Sequence, residues 1–517
     1  MHAFHWARER ARFRSTLAAS FVVGLVTTRA YALDGEVTSD TSAQFYDLRS
    51  PTGETILSRR RLTTTVGVGA YDLLGKERGV GQEHEPDLVF RARLRYDSDY
   101  GAAPNEASSA SLDRLVPGFS RGPVDLMYAY VEGRRFLHGV LGFRVGRQLT
   151  TDALGWWAFD GARVTVNTPA YVTLEGYGGM EVRGGLPFSG AMGRWERDGV
   201  WRGDRSGYDA STYSSFQQAE IAPAFGAAIE ASGVSWLQAR LSYRRVYNTG
   251  DSIITQFAPS DTTPVTFGGA RLSSERIGYA LSATASKVGS IQGGLAYDVY
   301  SSHFSNLYAT ADVYAGKKLT LSVDYDYYRP TFDADSIFNF FAAEPTSDIG
   351  ARALFDATKR WAFSGGAHVR TLQNQTADHI EGTTNTVPQQ PTLAIYPSNG
   401  VEFDEGGNLG ARFKRADTTL GLRAVGNWGR GGDRMGADIS GERVIEGRFV
   451  LTGRVGAWQW DDKLRPDRSA TNIGYVAGVG YRFAPRSQAS FDFQHDINRL
   501  VGHRFRAMLW LTVAVFR

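Results

Sequence analysis

Not one cysteine occurs in the 517 residues of the chain. That removes disulfide frameworks, thiolate nucleophiles and zinc ribbons together, and it suits an exported chain that does without covalent staples. A charge excess is missing as well: 57 Lys and Arg stand against 54 Asp and Glu, leaving a formal net charge of +3. A nucleic-acid binder would show a concentrated basic excess, so that partner is set aside. Histidine is sparse. The nine histidines are scattered without the paired spacing that builds a metal site, so neither metal nor cofactor is expected. Long apolar runs are absent too: past residue 32 nothing approaches the ~20 consecutive apolar residues of a spanning helix.

The N-terminus carries a different signal. Arg8, Arg10, Arg12 and Arg14 precede the run "TLAASFVVGLV" from Thr16 to Val26, and "AYA" at Ala30–Ala32 supplies small residues where a signal peptidase reads. Residues 1–32 therefore read as a secretory signal peptide cleaved after Ala32. The run is too short for the alternative, a first transmembrane helix, which needs ~20 residues.

What fills the rest of the chain is alternation. Leu237, Ala239, Leu241 and Tyr243 stand opposite Gln238, Arg240, Ser242 and Arg244. The same period of two returns at Leu319, Leu321, Val323 and Tyr325, and again at Ile473, Tyr475, Ala477, Val479 and Tyr481. A period of two is a strand signal. These segments run to roughly 10 to 12 residues, whereas strands of globular proteins centre on ~5 to 6 and transmembrane strands need ~9 to 11.

Connections alternate between tight and long, as in barrels with short periplasmic turns and long external loops. Tight ones fall near Gly133, Thr168, Lys287, Gly316, Thr358 and Arg415; long ones fall at 98–122, 179–216, 248–273, 330–346 and 371–404. The expectation is an all-β, transmembrane, antiparallel up-and-down barrel of about 18 to 22 strands, with a best count of about 20. Its domains would be the signal at 1–32, a periplasmic lead-in at 33–86 with a candidate first strand at 62–71, and the barrel at 87–517. The closing stretch "AMLWLTVAVFR" resembles the terminal strand of outer-membrane proteins, which implies recognition by the barrel assembly machinery, although Arg517 follows the aromatic Phe516. The partners expected are outer-membrane lipid, that machinery and a periplasmic export component, in a Gram-negative outer membrane.

Facing follows from cost. In "LVFRARLRYD" the arginines Arg91, Arg93 and Arg95 alternate with Phe90, Ala92, Leu94 and Tyr96. Each arginine turned to lipid would cost ~2 to 4 kcal/mol near the midplane, so the three must face the lumen. The same rule places Arg144, Arg163, Arg240, Arg244, Arg412 and Arg454 along an anion path, with Asp298, Asp312, Asp324 and Asp326 on an opposing acidic wall. A transverse field of that kind orients solutes and favours anions along its basic side. The alternative is that the charges satisfy one another and only keep the lumen wet.

The segment "RVGRQLTTDALGWWAFDGARV" from Arg144 to Val164 is similar to a strand–loop–strand segment of alginate-export-type porins, through Gly146, Arg147, Gln148, Trp157, Phe159, Asp160 and Gly161. The resemblance covers about 20 residues and implies a large monomeric barrel of about 18 strands that passes an anionic polysaccharide or another hydrophilic solute.

No catalytic motif stands up beside this. "GFSRG" around Ser120 has the letters of a nucleophile elbow without the strand before it and the helix after it. "DADS" from Asp333 and "DSD" from Asp97 lack a full calcium ligand set. No enzyme is expected. Two functions remain: a channel or export porin for a hydrophilic, anionic solute, and a non-conducting barrel that anchors or assembles another envelope component. The loop 179–216 could constrict the lumen under either.

Overall fold

The computed structural model describes residues 34–74, 85–99, 124–182, 222–231, 233–249, 252–254, 265–267, 270–331, 345–374, 400–429, 431–463 and 465–516. Within them the chain forms β1 (Asp34–Arg49), β2 (Thr55–Tyr71), β3 (Asp87–Asp99), β4 (Val124–Phe136), β5 (Leu141–Asp152), β6 (Gly155–Asn167), β7 (Val172–Glu181) and β8 (Pro223–Ala231). There follow β9 (Leu237–Asn248), β10 (Ser252–Ile254), β11 (Val265–Phe267), β12 (Arg271–Ala285), β13 (Gly289–Asp298), β14 (His303–Ala315), β15 (Leu319–Tyr328) and β16 (Thr346–Asp356). The last are β17 (Trp361–Asn374), β18 (Gly400–Arg415), β19 (Thr418–Trp428), β20 (Gly432–Ile445), β21 (Phe449–Asp462), β22 (Ala470–Ala484), β23 (Ser487–Asn498) and β24 (Gly502–Phe516).

Apart from the β10–β11 ribbon, these strands hydrogen-bond in one sheet of 22, each to its chain neighbours, with β9 passing to β12. Strand β24 returns to β1 in an unbroken antiparallel register from Glu36↔Phe516 to Arg49↔His503. The sheet is thereby closed and has no free edge, which is how an all-β chain of this length satisfies its backbone without helices on its faces. No helix among the described residues is long and apolar enough to cross a membrane, a statement that does not bear on strands.

The two ends of the barrel differ. Turns at 286–288, 316–318, 357–360 and 416–417 join strands at one end, while the strand ends flanking the long connections 100–123, 182–222, 329–345 and 375–399 lie at the other. Strand β1 begins and β24 finishes at the short-turn end, as an even strand number requires. Ala416 and Gly316 take positive φ values of 44° and 75° to make such reversals.

Outward rows are apolar and exposed: Leu94, Val145, Val164, Leu174, Ile229, Leu241, Ile277, Val323, Leu409, Ile439, Val455 and Ile473 all lie on that face. Aromatics gather toward its two margins. Near the short turns Trp361 lies against Phe413 (4.9 Å between ring centroids) and Phe449 against Tyr481 (4.8 Å); near the long connections Tyr297 meets Phe304 edge-on at 5.2 Å. An apolar band edged by two aromatic girdles is the exterior of a barrel whose solvent is lipid.

Two sequence expectations are corrected. The stretch 33–86 is no lead-in: β1 and β2 are full barrel strands paired from Asp34↔Tyr71 to Arg49↔Thr55, which moves the barrel's start to Asp34 and brings the count to 22, at the top of the expected range rather than at its best value. Strand β1 escaped notice because its outward positions include Ser39, Thr41 and Asp47 beside Val37 and Phe45, so neither face reads as apolar. The turn expected near Gly133 falls later, at Leu137–Val140, because β4 continues to Phe136 through an irregularity in its pairing with β5. The signal at 1–32 lies outside the described residues, as does nearly all of the loop 179–216 beyond β7.

Candidate lumenal site

Register decides which side chains share the lumen. Opposite Leu94 on β3, the inward row carries Arg91, Arg93 and Arg95, facing Gly69, Gly67 and Thr65 on β2. Small neighbours leave the guanidinium groups room. Arg93 donates to Asp40 (2.6 Å) and Thr65 (2.7 Å), and Arg91 lies 5.3 Å above the Tyr71 ring. By the same parity Arg59 and Arg61 on β2 and Arg504 and Arg506 on β24 face inward, so the basic side is an arc from β24 to β3. Sequence reading missed the last four because it did not place β1, through which the parity of β24 and β2 is linked.

The remaining expected arginines are distributed unequally. Arg144 bonds Glu132 at 3.0 Å and covers the Tyr130 ring; Arg163 faces Glu175 at 3.8 Å; Arg240 bridges Glu175 and Glu230, each at 2.8 Å. Arg454 is held bidentately by Asp438 at 3.1 and 2.9 Å. Arg412 is exposed to the lumen near the short-turn end and makes no ion pair among the described residues.

The acids lie almost half-way round the ring of 22 from β3. Asp312 and Asp324 share the lumenal face of β14 and β15, with Asp326 above them. Asp312 accepts from Ser290 (2.9 Å) and Ser322 (2.6 Å), and Asp348 on β16, opposite Asp326, pairs with Arg370 at 2.9 Å. Asp298 stands apart. It is 1% exposed and accepts from the Ser301 backbone N–H and hydroxyl, both at 2.8 Å, so it caps the turn into β14 instead of facing the bore.

An inward-folded hairpin that sequence reading did not find lies between these arcs. The tip of the β5–β6 hairpin folds into the lumen: Asp152 meets Arg244 of β9 at 3.2 Å, and Leu154 reaches Gly278 of β12, where a Cβ would come within 2.7 Å of the leucine. Behind it Trp157, Phe159 and Tyr177 stack, Trp157 on Phe159 at 4.4 Å, with the Arg244 guanidinium 4.5 Å over the indole. Ala224, Gly226 and Ala228 on β8 make the hollow that receives them; a Cβ at Gly226 would lie 2.4 Å from the Tyr177 ring. Phe159 is fully buried. Among the described residues, side chains fill the lumenal side of β5–β12, whereas Arg352, Arg412 and Arg423 on β16, β18 and β19 stay exposed.

The hairpin also accounts for the residues that carried the porin resemblance. Arg147 clamps Asp160 with two bonds of 2.7 Å on the outer face, and Gln148, fully buried, donates to the Arg144 and Gly161 carbonyls. A Cβ at Gly161 would stand 2.2 Å from the Gly178 carbonyl oxygen. Gly161, Arg147, Asp160 and Gln148 bend and fasten the hairpin, and Trp157 and Phe159 plug its base.

A second feature is a recess of about 670 Å³ in the wall from β20 to β1 near the long connections, holding Arg434, Arg454, Trp458, Asn472, Gln494 and Arg504 among its lining. Arg434 stacks 5.0 Å over Trp458, whose ring lies across Gly436, while Arg504 pairs with Asp496 at 2.8 Å.

No family model and no curated protein matches the sequence. Among solved structures, Acinetobacter baumannii OccAB4 aligns over 95% of this chain and 99% of its own at 6% identity, with a TM-score of 0.41. Pseudomonas aeruginosa OpdK, solved with vanillate, aligns over 94% and 99% at 8% identity (TM-score 0.40), and a BenF-like porin from Pseudomonas fluorescens over 94% and 99% at 7% identity (TM-score 0.40).

Proposed function

We propose that the barrel resides in the outer membrane of a Gram-negative cell and conducts hydrophilic solutes through its lumen, anions ahead of cations. One observation carries this reading: the closed ring divides its side chains into an apolar, aromatic-girdled exterior and a lumen lined by the guanidinium arc of β24–β3. A charged interior is tolerated only where water fills it, and fixed cations along a confined aqueous path raise the local anion concentration. The long connections then face outward and the short turns the periplasm. Strand β24, ending at Phe516, is the segment the assembly machinery takes.

The cargo this favours is a small hydrophilic anion. A negatively charged saccharide chain, passed on by a periplasmic export component, is the larger form of the same reading and requires the β5–β6 tip to leave the bore. That seated tip favours the second reading, a barrel that carries no current and anchors another envelope component. Replacing Arg91, Arg93 and Arg95 together by glutamine keeps polar side chains in the lumen and removes three charges. In planar bilayers under a salt gradient the variant is expected to lose anion preference with little change in conductance, since selectivity responds to fixed charge and conductance mainly to width. An unchanged reversal potential in a conducting variant removes these arginines from the path.

A further inference from the structure

One sector of the outer rim departs from the rest in its charge. Where β22–β24 meet β1 and β2, at the end with the long connections, the outward face carries Arg49, Arg60, His495 and His503 against a single carboxylate, Asp47. Their arrangement is ordered by aromatics. Arg49 lies 5.6 Å over the Phe505 ring; His495 stacks on Phe505 at 4.4 Å and 8°; His495 Nε2 and His503 Nδ1 are 3.1 Å apart. Arg60 is engaged by Asp47 at 2.9 Å and covers Phe45, while Arg49, exposed and within coulombic reach of the same carboxylate, makes no ion pair among the described residues. Among the described residues, two other sectors of the same rim are balanced or acidic. Arg245 faces Glu275 at 3.8 Å on β9 and β12, and Glu405, Asp433 and Asp461 share the outward rim of β18, β20 and β21 with Lys463.

We infer that this sector binds the phosphate of an anionic glycolipid in the outer leaflet, an inference that rests on the membrane placement proposed above. Directly below it on β24 come Leu509, Leu511 and Val515, an apolar strip for acyl chains. Whatever contacts Arg49 and the two imidazoles at this height sits between acyl chains and water, which is the position of a lipid headgroup. Guanidinium groups hold phosphate through charge-assisted hydrogen bonds. The contact between the rings uses one N–H, so of His495 Nδ1 and His503 Nε2 at least one carries a hydrogen that can be donated to the phosphate.

The test uses the full barrel in phosphatidylcholine vesicles doped with lipid A or with lipid A stripped of its phosphates, and reads the glycolipid that stays bound by native mass spectrometry. Wild-type protein is expected to retain the phosphorylated form about tenfold more than the stripped form, the scale of one charge-assisted contact. The Arg49→Gln/His495→Gln/His503→Gln variant loses that preference, Arg49→Gln alone loses part of it, and Arg245→Gln keeps it. Equal retention of both glycolipids by the wild type, or an undiminished preference in both Arg49 variants, overturns the site. Single-channel recording on the same preparations separates the two ideas: a conducting barrel without lipid preference sinks the lipid site alone, whereas a silent barrel that keeps the preference supports the site and sinks the channel.

Discussion

Replacing Thr150–Trp157 by a two-residue Asn-Gly turn, with Arg244→Gln to avoid stranding a cation, is expected to raise the conductance of the barrel severalfold. The hairpin tip crosses from β5 to the far side of β9, with Asp152 on Arg244 and Leu154 on Gly278. Its removal clears Trp157 and Leu154 from the lumen and opens the β5–β12 side that is now filled. The shortened turn suits a hairpin because Asn-Gly adopts the twist that flanking strands need. The ring itself loses no strand, since β5 and β6 remain paired from Leu141↔Val166 to Leu149↔Ala158. Unitary current in planar bilayers is the readout. An unchanged current in a folded variant means that the narrowest point lies elsewhere, and it strips the Asp152–Arg244 contact of a role in the path.

Lysine at Phe90, Leu94 and Tyr96 is expected to abolish assembly, while glutamine at Arg91, Arg93 and Arg95 leaves it intact. The two triples occupy one strand and differ only in the face they change. Each outward lysine costs ~2 to 4 kcal/mol near the midplane and less at the strand end where Tyr96 sits. Together they approach the ~5 to 15 kcal/mol that holds a folded chain. Folding into lipid vesicles, followed by the gel shift between heated and unheated samples, distinguishes the outcomes. A folded lysine variant would mean that Leu94 does not meet lipid and that the assignment of faces is inverted.

Much of this was legible in the sequence, and the limits have physical causes. Alternation with period two located most strands, and the cost of a lipid-facing arginine sufficed to turn Arg91, Arg93 and Arg95 inward. Strand β1 was hidden because Ser39 and Thr41 occupy outward positions, where Thr41 finds a hydroxyl partner in Thr64 at 3.3 Å. Position along the barrel was less readable than facing. Asp298 has lumenal parity but stands at the end of β13, where its carboxylate closes the turn at Ser301. The inward-folded hairpin was out of reach for another reason: Asp152 and Arg244 are 92 residues apart, and only the fold of the β5–β6 tip across β7 and β8 brings them together. The small residues that make room for it, Ala224, Gly226 and Ala228, look in sequence like any weakly apolar strand.

On the function proposed above, the lumen conducts and its guanidinium arc sets the sign of its selectivity. Recording from the purified wild-type protein in a planar bilayer, first in symmetric salt and then across a salt gradient, tests it most directly. Discrete unitary steps are expected, with a reversal potential displaced toward the equilibrium potential of the anion by an amount that shrinks as ionic strength rises and screening shortens the reach of the arginines. A protein that inserts and folds without unitary steps, or one whose reversal potential lies on the cation side, would contradict it.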